Sequence, residues 1–346
     1  MTQRFDSQLP SVSVVVAVLN EVEHFDTALA TVLAQQYAGP LEFIFVDGGS
    51  TDGTLELLEA LVELRDDVAV LRNPRPGIAI SLNIALEQAA GDVLVRMDAH
   101  TSYEDSYVAA GVAALVAGKA EWAAGPAIAA GSGNWSRWVA AALASKLGVG
   151  GADFRRATEE RLTDAGFGGA IARRDLEELG GWDESWEVNE DGELAARATR
   201  AGLRILLVPE MAARYIPRDD LGGLAKQYWR YGLWRAKTSV VYPESVRPSH
   251  ALPPLLAIAL VVSCLPLVGR LARIAVVVYL AVIGGAGIAI ARREGQLSAA
   301  PKVSAALATM HTSWGFASIA GFKRFGSPLP ALLVLIATLR NRLPSA

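Results

Sequence analysis

Val12–Leu19 is an unbroken, Val-rich apolar run, the pattern of a strand buried on both faces of a sheet. Helical spacing follows over Glu23–Gln36, through Phe25, Leu29, Val32 and Leu33. Leu41–Val46 is a second buried strand that runs straight into Asp47-Gly48-Gly49-Ser50-Thr51-Asp52-Gly53. The pattern then predicts a helix over Thr54–Leu64, a short strand over Val68–Leu71, a helix over Ile78–Ala90 and a strand over Val93–Met97 that ends at Asp98. Leu194, Ala195, Ala198 and Leu203 predict another helix-and-strand unit leading to Leu206-Leu207-Val208-Pro209. Alternating strands and helices point to an α/β fold, a mostly parallel sheet with helices on its faces. Such sheets bind ligands at the carboxyl ends of their strands. Asn20 and Glu21, Asp47, and Asp98 with His100 occupy those ends.

After His250 the pattern changes. Four charge-free stretches follow: Ala251–Gly269, Ile274–Ala291, Val303–Phe322 and Phe325–Leu339. A membrane helix needs about 20 apolar residues, and the first two stretches meet that length. The third carries His311, Thr312, Ser313 and Trp314 at its centre, and the fourth is short and opens with Pro328 and Pro330. Lys and Arg bracket every stretch, as headgroup anchors do. Gly269–Arg273 reads as a tight link between the first two. The expectation is a membrane anchor of two to four helices. Buried helices of a soluble protein would show the same apolarity without the basic brackets.

Composition agrees. Hydrophobic residues make up 52% of the 346 and charged residues 20%, and the mean hydropathy is +0.29, which excludes a disordered chain. From Pro248 onward there are nine Lys/Arg and one acid, Glu294, whereas residues 1–247 carry 23 Lys/Arg against 35 Asp/Glu. The net charge of -4 leaves no global basic footprint for nucleic acid. The single cysteine, Cys264, excludes an internal disulfide and a cysteine-rich zinc site. Met1–Pro10 is polar and lacks the apolar core of a secretory signal, so the front half is expected in the cytosol.

The glycine-rich segment after Asp47 is not a dinucleotide fingerprint. That motif opens a helix as G-x-G-x-x-G, normally after the first strand, and no Walker A lysine is present either. The glycines permit a tight turn and Asp52 suits a helix cap. Asp47, at a buried strand's exit, is placed to accept hydrogen bonds from a base or ribose.

Three segments together carry a resemblance. Val14-Val15-Val16-Ala17-Val18-Leu19-Asn20-Glu21, the segment Val46–Thr54, and Gly91-Asp92-Val93-Leu94-Val95-Arg96-Met97-Asp98-Ala99-His100 resemble family-2 inverting glycosyltransferases of the GT-A fold. Gly168-Gly169-Ala170, Gly180-Gly181-Trp182-Asp183-Glu184 and Asn189-Glu190-Asp191 match that family's acceptor region in order and spacing. Within the family the chain looks most like the succinoglycan-biosynthesis branch. The resemblance spans roughly residues 10–240. It implies a nucleotide-sugar donor, a divalent cation (Mn2+ or Mg2+) and inversion at the anomeric carbon.

Asp98-Ala99-His100 stands at the family's D-x-D position. A hard cation there neutralises the departing diphosphate. Asp98 supplies one hard ligand. His100 replaces the usual second Asp, so it either ligates Mn2+ or binds the donor. Asp191 is expected as the general base, with Glu190 beside it orienting the acceptor; both also suit a helix N-terminus electrostatically. Asn20, Glu21, Asp47, Gly49, Ser50, Gly77, Asn83, Arg96 and Asp98 are the expected nucleotide-sugar contacts. Arg75 could reach the diphosphate or stay at the surface. Gly169, Trp182 and Asp183 are expected at the acceptor, although Trp182 also suits a core position in a turn. Gln227, Arg230 and Tyr231 align with the Q-x-x-R-W motif of membrane-bound members and are expected near the diphosphate. Tyr228 and Tyr231 depart from that motif, which argues against processive polymer synthesis. Lys226–Lys237 mixes cations with Tyr228, Trp229, Tyr231 and Trp234, as an interfacial helix does.

The expected organisation is a cytosolic GT-A domain over 1–225, an amphipathic interfacial segment over 226–250 and a membrane anchor over 251–346. The expected activity transfers a hexose, from a UDP-sugar, to a lipid-linked saccharide at the inner membrane, in exopolysaccharide or envelope glycan assembly. A polyprenyl-phosphate glycosyltransferase and a silent nucleotide-binding scaffold are the alternatives.

Overall fold

The computed structural model describes residues 9–150, 155, 157–166, 168–266 and 268–342. The polar segment 1–8, the side chain of Phe25 and Leu267 of the first apolar stretch lie outside the described residues. The chain divides into two compact units, one of residues 1–128 and 154–215, the other of 129–153 and 216–346.

The strands in chain order are β1 (Val12–Val18), β2 (Leu41–Asp47), β3 (Val68–Arg72), β4 (Val93–Arg96), β5 (Thr101–Tyr103), β6 (Trp122–Ala124), β7 (Ala127–Ala129), β8 (Arg161–Thr163), β9 (Gly169–Ala172), β10 (Ile205–Leu207) and β11 (Ala213–Tyr215). Eight of them form one sheet in the order β3-β2-β1-β4-β9-β6-β10-β8, and β5-β11-β7 form a small second sheet. The apolar runs explain the first four strands. Side chains alternate across a strand, so each residue of Val14–Val16 chooses a face. Val14, Val16, Phe43, Phe45 and Val95 join Leu58 and Tyr107 in one core. Val15, Ile44, Val46 and Leu94 join Leu82, Trp122, Ile171, Trp182 and Leu194 in the other. Helices cover both faces, so a strand that is apolar at every position leaves nothing exposed.

β1 pairs in parallel with β2 and β4, and β2 with β3. The sheet is nevertheless mixed. β9 runs antiparallel between β4 and β6, and β8 is antiparallel to β10. Gly169-Ala170-Ile171-Ala172 carries too little side chain to announce a strand, and it forms one because β4 and β6 each offer it an open edge.

The segment Glu23–Gln36, predicted as one regular helix, is composite: a 3-10 turn at Val22–His24, a π-turn at Phe25–Leu29 and a short α-helix at Ala30–Leu33. Thr31 Oγ1 donates to the Ala28 carbonyl at 2.7 Å and Gln35 Nε2 to the Glu104 carbonyl at 2.9 Å. Such side-chain bonds compete with a regular helix.

The second unit is helical. Its helices are Ser136–Leu143, Lys146–Val149, Leu221–Val241, Pro248–Ser263, Gly269–Arg293, Ala300–Phe325 and Leu329–Arg342. Ala300–Phe325 packs against five of the others, most extensively against Leu221–Val241. Small residues allow this closeness: a Cβ on Gly315 would lie 2.1 Å from the Pro253 carbonyl oxygen. Tyr228 and Trp234, expected among headgroups, are buried within the unit, whereas Trp229 is exposed.

Among the described residues one helix, Gly269–Arg293, is both long and apolar enough to cross a membrane. At 1.5 Å per residue its 25 residues extend about 37 Å, enough for a hydrocarbon core of about 30 Å. The first apolar stretch falls short of the expectation. Its helix ends at Ser263 after 16 residues, because Pro266 disfavours helical backbone at the residue before it. Gly269–Arg273, expected as the link, is the first turn of the long helix. Large apolar side chains point outward on several helices, among them Leu255, Leu271, Val277, Leu333 and Ile336.

Gly169 lies opposite Arg96 in the β4–β9 ladder with φ +92°, and a Cβ there would sit 2.2 Å from the Ala123 carbonyl oxygen. Gly169→Ala is therefore expected to lose about 2–5 kcal/mol of stability from strain and overpacking; thermal unfolding of the purified protein measures it.

Candidate active site

The site is built on the carboxyl ends of β1, β2 and β4. β1 ends at Val18, opposite Asp47 of β2. The turn after β2 is organised by the Asp47 carboxylate, which accepts from the Gly49 amide at 2.9 Å and the Ser50 amide at 3.1 Å. Ser50 Oγ accepts from the Asn20 amide at 2.9 Å, and Asn20 Oδ1 accepts from the Thr51 amide at 2.9 Å. Asn20 adopts φ +55° to do so. Glu21 Oε1 lies 3.1 Å from His100 Nδ1, beyond β4. A continuous polar rim therefore runs from Asp47 through Ser50, Asn20 and Glu21 to His100. Asp47 itself is only 2% exposed, so its carboxylate serves the turn directly.

Next to this rim lies a buried charge cluster. Arg96, the last residue of β4, reaches three carboxylates: Nε meets Asp98 Oδ1 at 3.2 Å, Nη2 meets Glu190 Oε1 at 3.1 Å, and Nη1 pairs with Asp191 Oδ1. The Arg96 side chain is 6% exposed and that of Asp191 14%, so the cluster is shielded while Asp191 stays accessible to a small group. Burial opposes charge on Arg96, but Asp191, Asp98 and Glu190 together hold its guanidinium protonated, well above the ordinary value. Burial is also the main cause that pushes Asp191 up to about 7; Arg96 opposes this, and Glu190 and Asp98 reinforce it. The Gly168 backbone beside it acts in the same direction as Arg96, lowering it. Burial and then Asp98 push the Tyr107 phenol up, so it stays a neutral hydroxyl.

Glu190 and Asp191 open the helix Glu190–Arg200, whose dipole favours carboxylates at that end. Asn189 precedes them in a left-handed conformation at φ +68°. Asp98 is fixed from behind, because its amide donates to Tyr103 Oη at 2.6 Å.

The remaining expected residues divide by what they touch. Asn83 is a clamp: its Nδ2 donates to the Trp182 carbonyl at 2.9 Å and its Oδ1 accepts from the Trp182 amide at 2.8 Å. Trp182 is 4% exposed and belongs to a core. Asp183 Oδ1 accepts from the Ser185 amide at 2.8 Å. Arg75, expected at the diphosphate or the surface, pairs with Glu184 at 3.2 Å. Gly77, at φ +145°, precedes the helix Ile78–Gln88, and its carbonyl accepts from Asn73 Nδ2 at 3.3 Å. Gly169 contributes backbone register beside Arg96. Gln227, Arg230 and Tyr231 lie on Leu221–Val241 in the other unit, where Gln227 Nε2 donates to Tyr231 Oη at 3.1 Å and Arg230 is exposed.

Sequence reasoning placed Arg96 among donor contacts and missed its part in joining Asp98 to Asp191. A signal was present: an arginine inside the apolar run Val93–Met97 must be paired if it is buried. Tyr103 and Tyr107 carried no comparable signal.

Among the described residues no group of three or more His, Cys, Asp or Glu side chains is placed to hold a metal ion by itself. The donor set fits a hard cation only in the mode where phosphate oxygens and waters complete the shell around one or two carboxylates. Asp98, partly exposed at the strand end, is the carboxylate so placed. His100 engages Glu21 through Nδ1.

Comparison with known proteins places this arrangement. The family model "Glycosyl transferase family 2" matches residues 13–180. The succinoglycan biosynthesis protein ExoA of Rhizobium meliloti is 30% identical over 313 residues, covering 90% of this chain and 93% of that one. The undecaprenyl-phosphate 4-deoxy-4-formamido-L-arabinose transferase of Pectobacterium carotovorum is 38% identical over 95 residues, 26% of this chain and 29% of that protein. A mannosyltransferase of Pyrobaculum calidifontis, solved with GDP-Man and Mn2+, superposes with a TM-score of 0.58 at 21% identity, covering 91% of this chain and 88% of that one. That likeness shows the GT-A type fold. The chain, similar to ExoA over nearly its full length, is a glycosyltransferase and belongs to glycosyl transferase family 2.

Proposed function

We propose that this enzyme is a membrane-docked inverting transferase that moves a hexose from a nucleotide sugar, a UDP-hexose, to a lipid-linked saccharide in exopolysaccharide or envelope glycan assembly. The observation that carries this reading is the cluster in which one buried arginine holds Asp98 and Asp191 together. It brings a carboxylate suited to a phosphate-bound cation beside a carboxylate suited to proton abstraction.

In this reading Asp191 accepts the proton of the acceptor hydroxyl as that oxygen attacks the anomeric carbon. The bond from that carbon to the diphosphate oxygen breaks on the opposite face, which inverts the configuration. A proton affinity near neutral is what a base needs at physiological pH. Asp98 would hold the divalent cation, which supplies neutralisation of the departing diphosphate. Glu190 orients the acceptor, and the rim from Asp47 to His100 receives the nucleotide. Docking on lipid is supported by the outward apolar side chains of the helical unit, by the long helix Gly269–Arg293 and by the excess of Lys/Arg after Pro248. Gln227, Arg230 and Tyr231 serve the diphosphate or the interface in the same reading.

Asp191→Asn is expected to lower transfer by about 100-fold to 10,000-fold with nucleotide binding retained; near-normal transfer in membranes supplied with a panel of UDP- and GDP-sugars would remove the assignment. For the wild type, kcat/KM should fall about tenfold per pH unit below pH about 7, because Asp191 must be deprotonated to act and its pKa is raised to about 7. A limb near pH 4 would show that another group is the base. Chelation should abolish transfer and Mn2+ or Mg2+ should restore it, whereas full activity in chelator would exclude the cation.

A further inference from the structure

Directly behind Asp191 lies a small cavity with room for about one water molecule. Arg96, Trp122, Gly168, Trp182 and Asp191 line it, with Leu94, Ile171 and Leu194 among its apolar walls. Two tryptophans belong to this lining, each with an indole N–H to satisfy. That of Trp122 donates to the Gly168 carbonyl at 2.9 Å. That of Trp182 is buried and meets no acceptor among the described residues. Buried donors in native proteins are almost always satisfied, by protein or by water. The Asn83 clamp holds the Trp182 backbone at both the amide and the carbonyl, and the indole is packed in the core at 4% exposure.

The same cavity presents an acceptor with capacity to spare. A carboxylate offers about four lone-pair directions. Asp191 uses one toward Arg96. An orphaned donor and an acceptor-rich anion on one water-sized cavity complement each other through a single bridging molecule, which needs two or more polar partners to be held.

We propose that the cavity holds one enclosed water that accepts from Trp182 Nε1–H and donates to Asp191, making Trp182 a positioning residue for the base. This rests on the reading of Asp191 as the base. It places Trp182 behind the reacting groups, on the side of Asp191 away from the acceptor. The other charged or titratable groups that act on Asp191 are Arg96 from β4, Asp98 from the turn beyond it, Glu190 from its own helix and the Tyr107 hydroxyl from Tyr107–Val116. The water adds a donor to the charged form of Asp191, so its loss should raise the proton affinity of the base.

The test uses the full-length protein in lipid nanodiscs. The ultraviolet resonance Raman difference between wild type and Trp182→Phe isolates the indole N–H band of Trp182. The expected band lies at the hydrogen-bonded position and moves toward the weakly bonded one when Asp191→Asn is introduced. W182F should also lower kcat roughly threefold to eightfold at pH about 6.5 and shift the acid limb upward by about half to one pH unit. The KM for nucleotide sugar should stay unchanged. A Trp182 band at the free position, a band insensitive to D191N, or an acid limb unmoved in W182F would each overturn the proposal. If W182F does not fold, wild type minus D191N reads the same band, and the absence of any indole difference overturns it. Normal transfer by D191N would remove the base instead, and the Raman band would then decide the water on its own.

Discussion

A guanidinium buried among three carboxylates is tolerable only when every partner is held in place together. Arg96 is removed from water at the end of β4, and each lost hydration contact is replaced by Asp98, Glu190 or Asp191. Removing one partner from such a group leaves a buried uncompensated charge, which costs about 3–5 kcal/mol. The constraint ties strand to helix across 95 residues of sequence. It fixes where the helix Glu190–Arg200 begins relative to the sheet, and so where Asp191 stands. Burial, reinforced by Glu190 and Asp98 against the opposing Arg96, pushes Asp191 up to about 7. One interaction thus sets both the architecture and the electrostatics of this carboxylate.

The sheet supplies the rest of the arrangement. Parallel strands all present their carboxyl ends on one side, so polar residues far apart in sequence come to a common edge without any mutual attraction. Asp47, Ser50 and Asn20 then knit the turns after β2 and β1 together, and Glu21 reaches His100 beyond β4. Antiparallel β9 closes the other side of β4 and brings Gly168 and Gly169 against Arg96 and Asp191. The GT-A fold thereby brings together a polar rim and, one strand over, a shielded charge cluster, the two parts that the proposed reaction uses.

In the helical unit the sequence pattern was a weaker guide. Charge-free stretches were visible, but their length counted residues that are not helical. Pro266 interrupts the first stretch, so its helix stops at Ser263, whereas Gly269–Arg293 extends unbroken. The polar centre of the third stretch has partners: His311 Nδ1 lies 3.1 Å from Tyr279 Oη, and its Nε2 lies 2.9 Å from the Leu147 carbonyl oxygen.

The sequence by itself determined β1 to β4, the helices after β2 and β3, and the presence of Asp47, Asp98 and Asp191 in a family pattern. Burial on both faces writes a continuous apolar run, and motif spacing along one chain is local information. Only the tertiary structure decided what those residues do to one another. Arg96 became a clamp, Asn83 a brace for Trp182, and Trp182 a wall behind Asp191, because these roles depend on contacts between segments about 100 residues apart. β9 likewise exists through its neighbours and not through its own composition. Local pattern sets which groups must leave water; topology alone sets which groups they meet there.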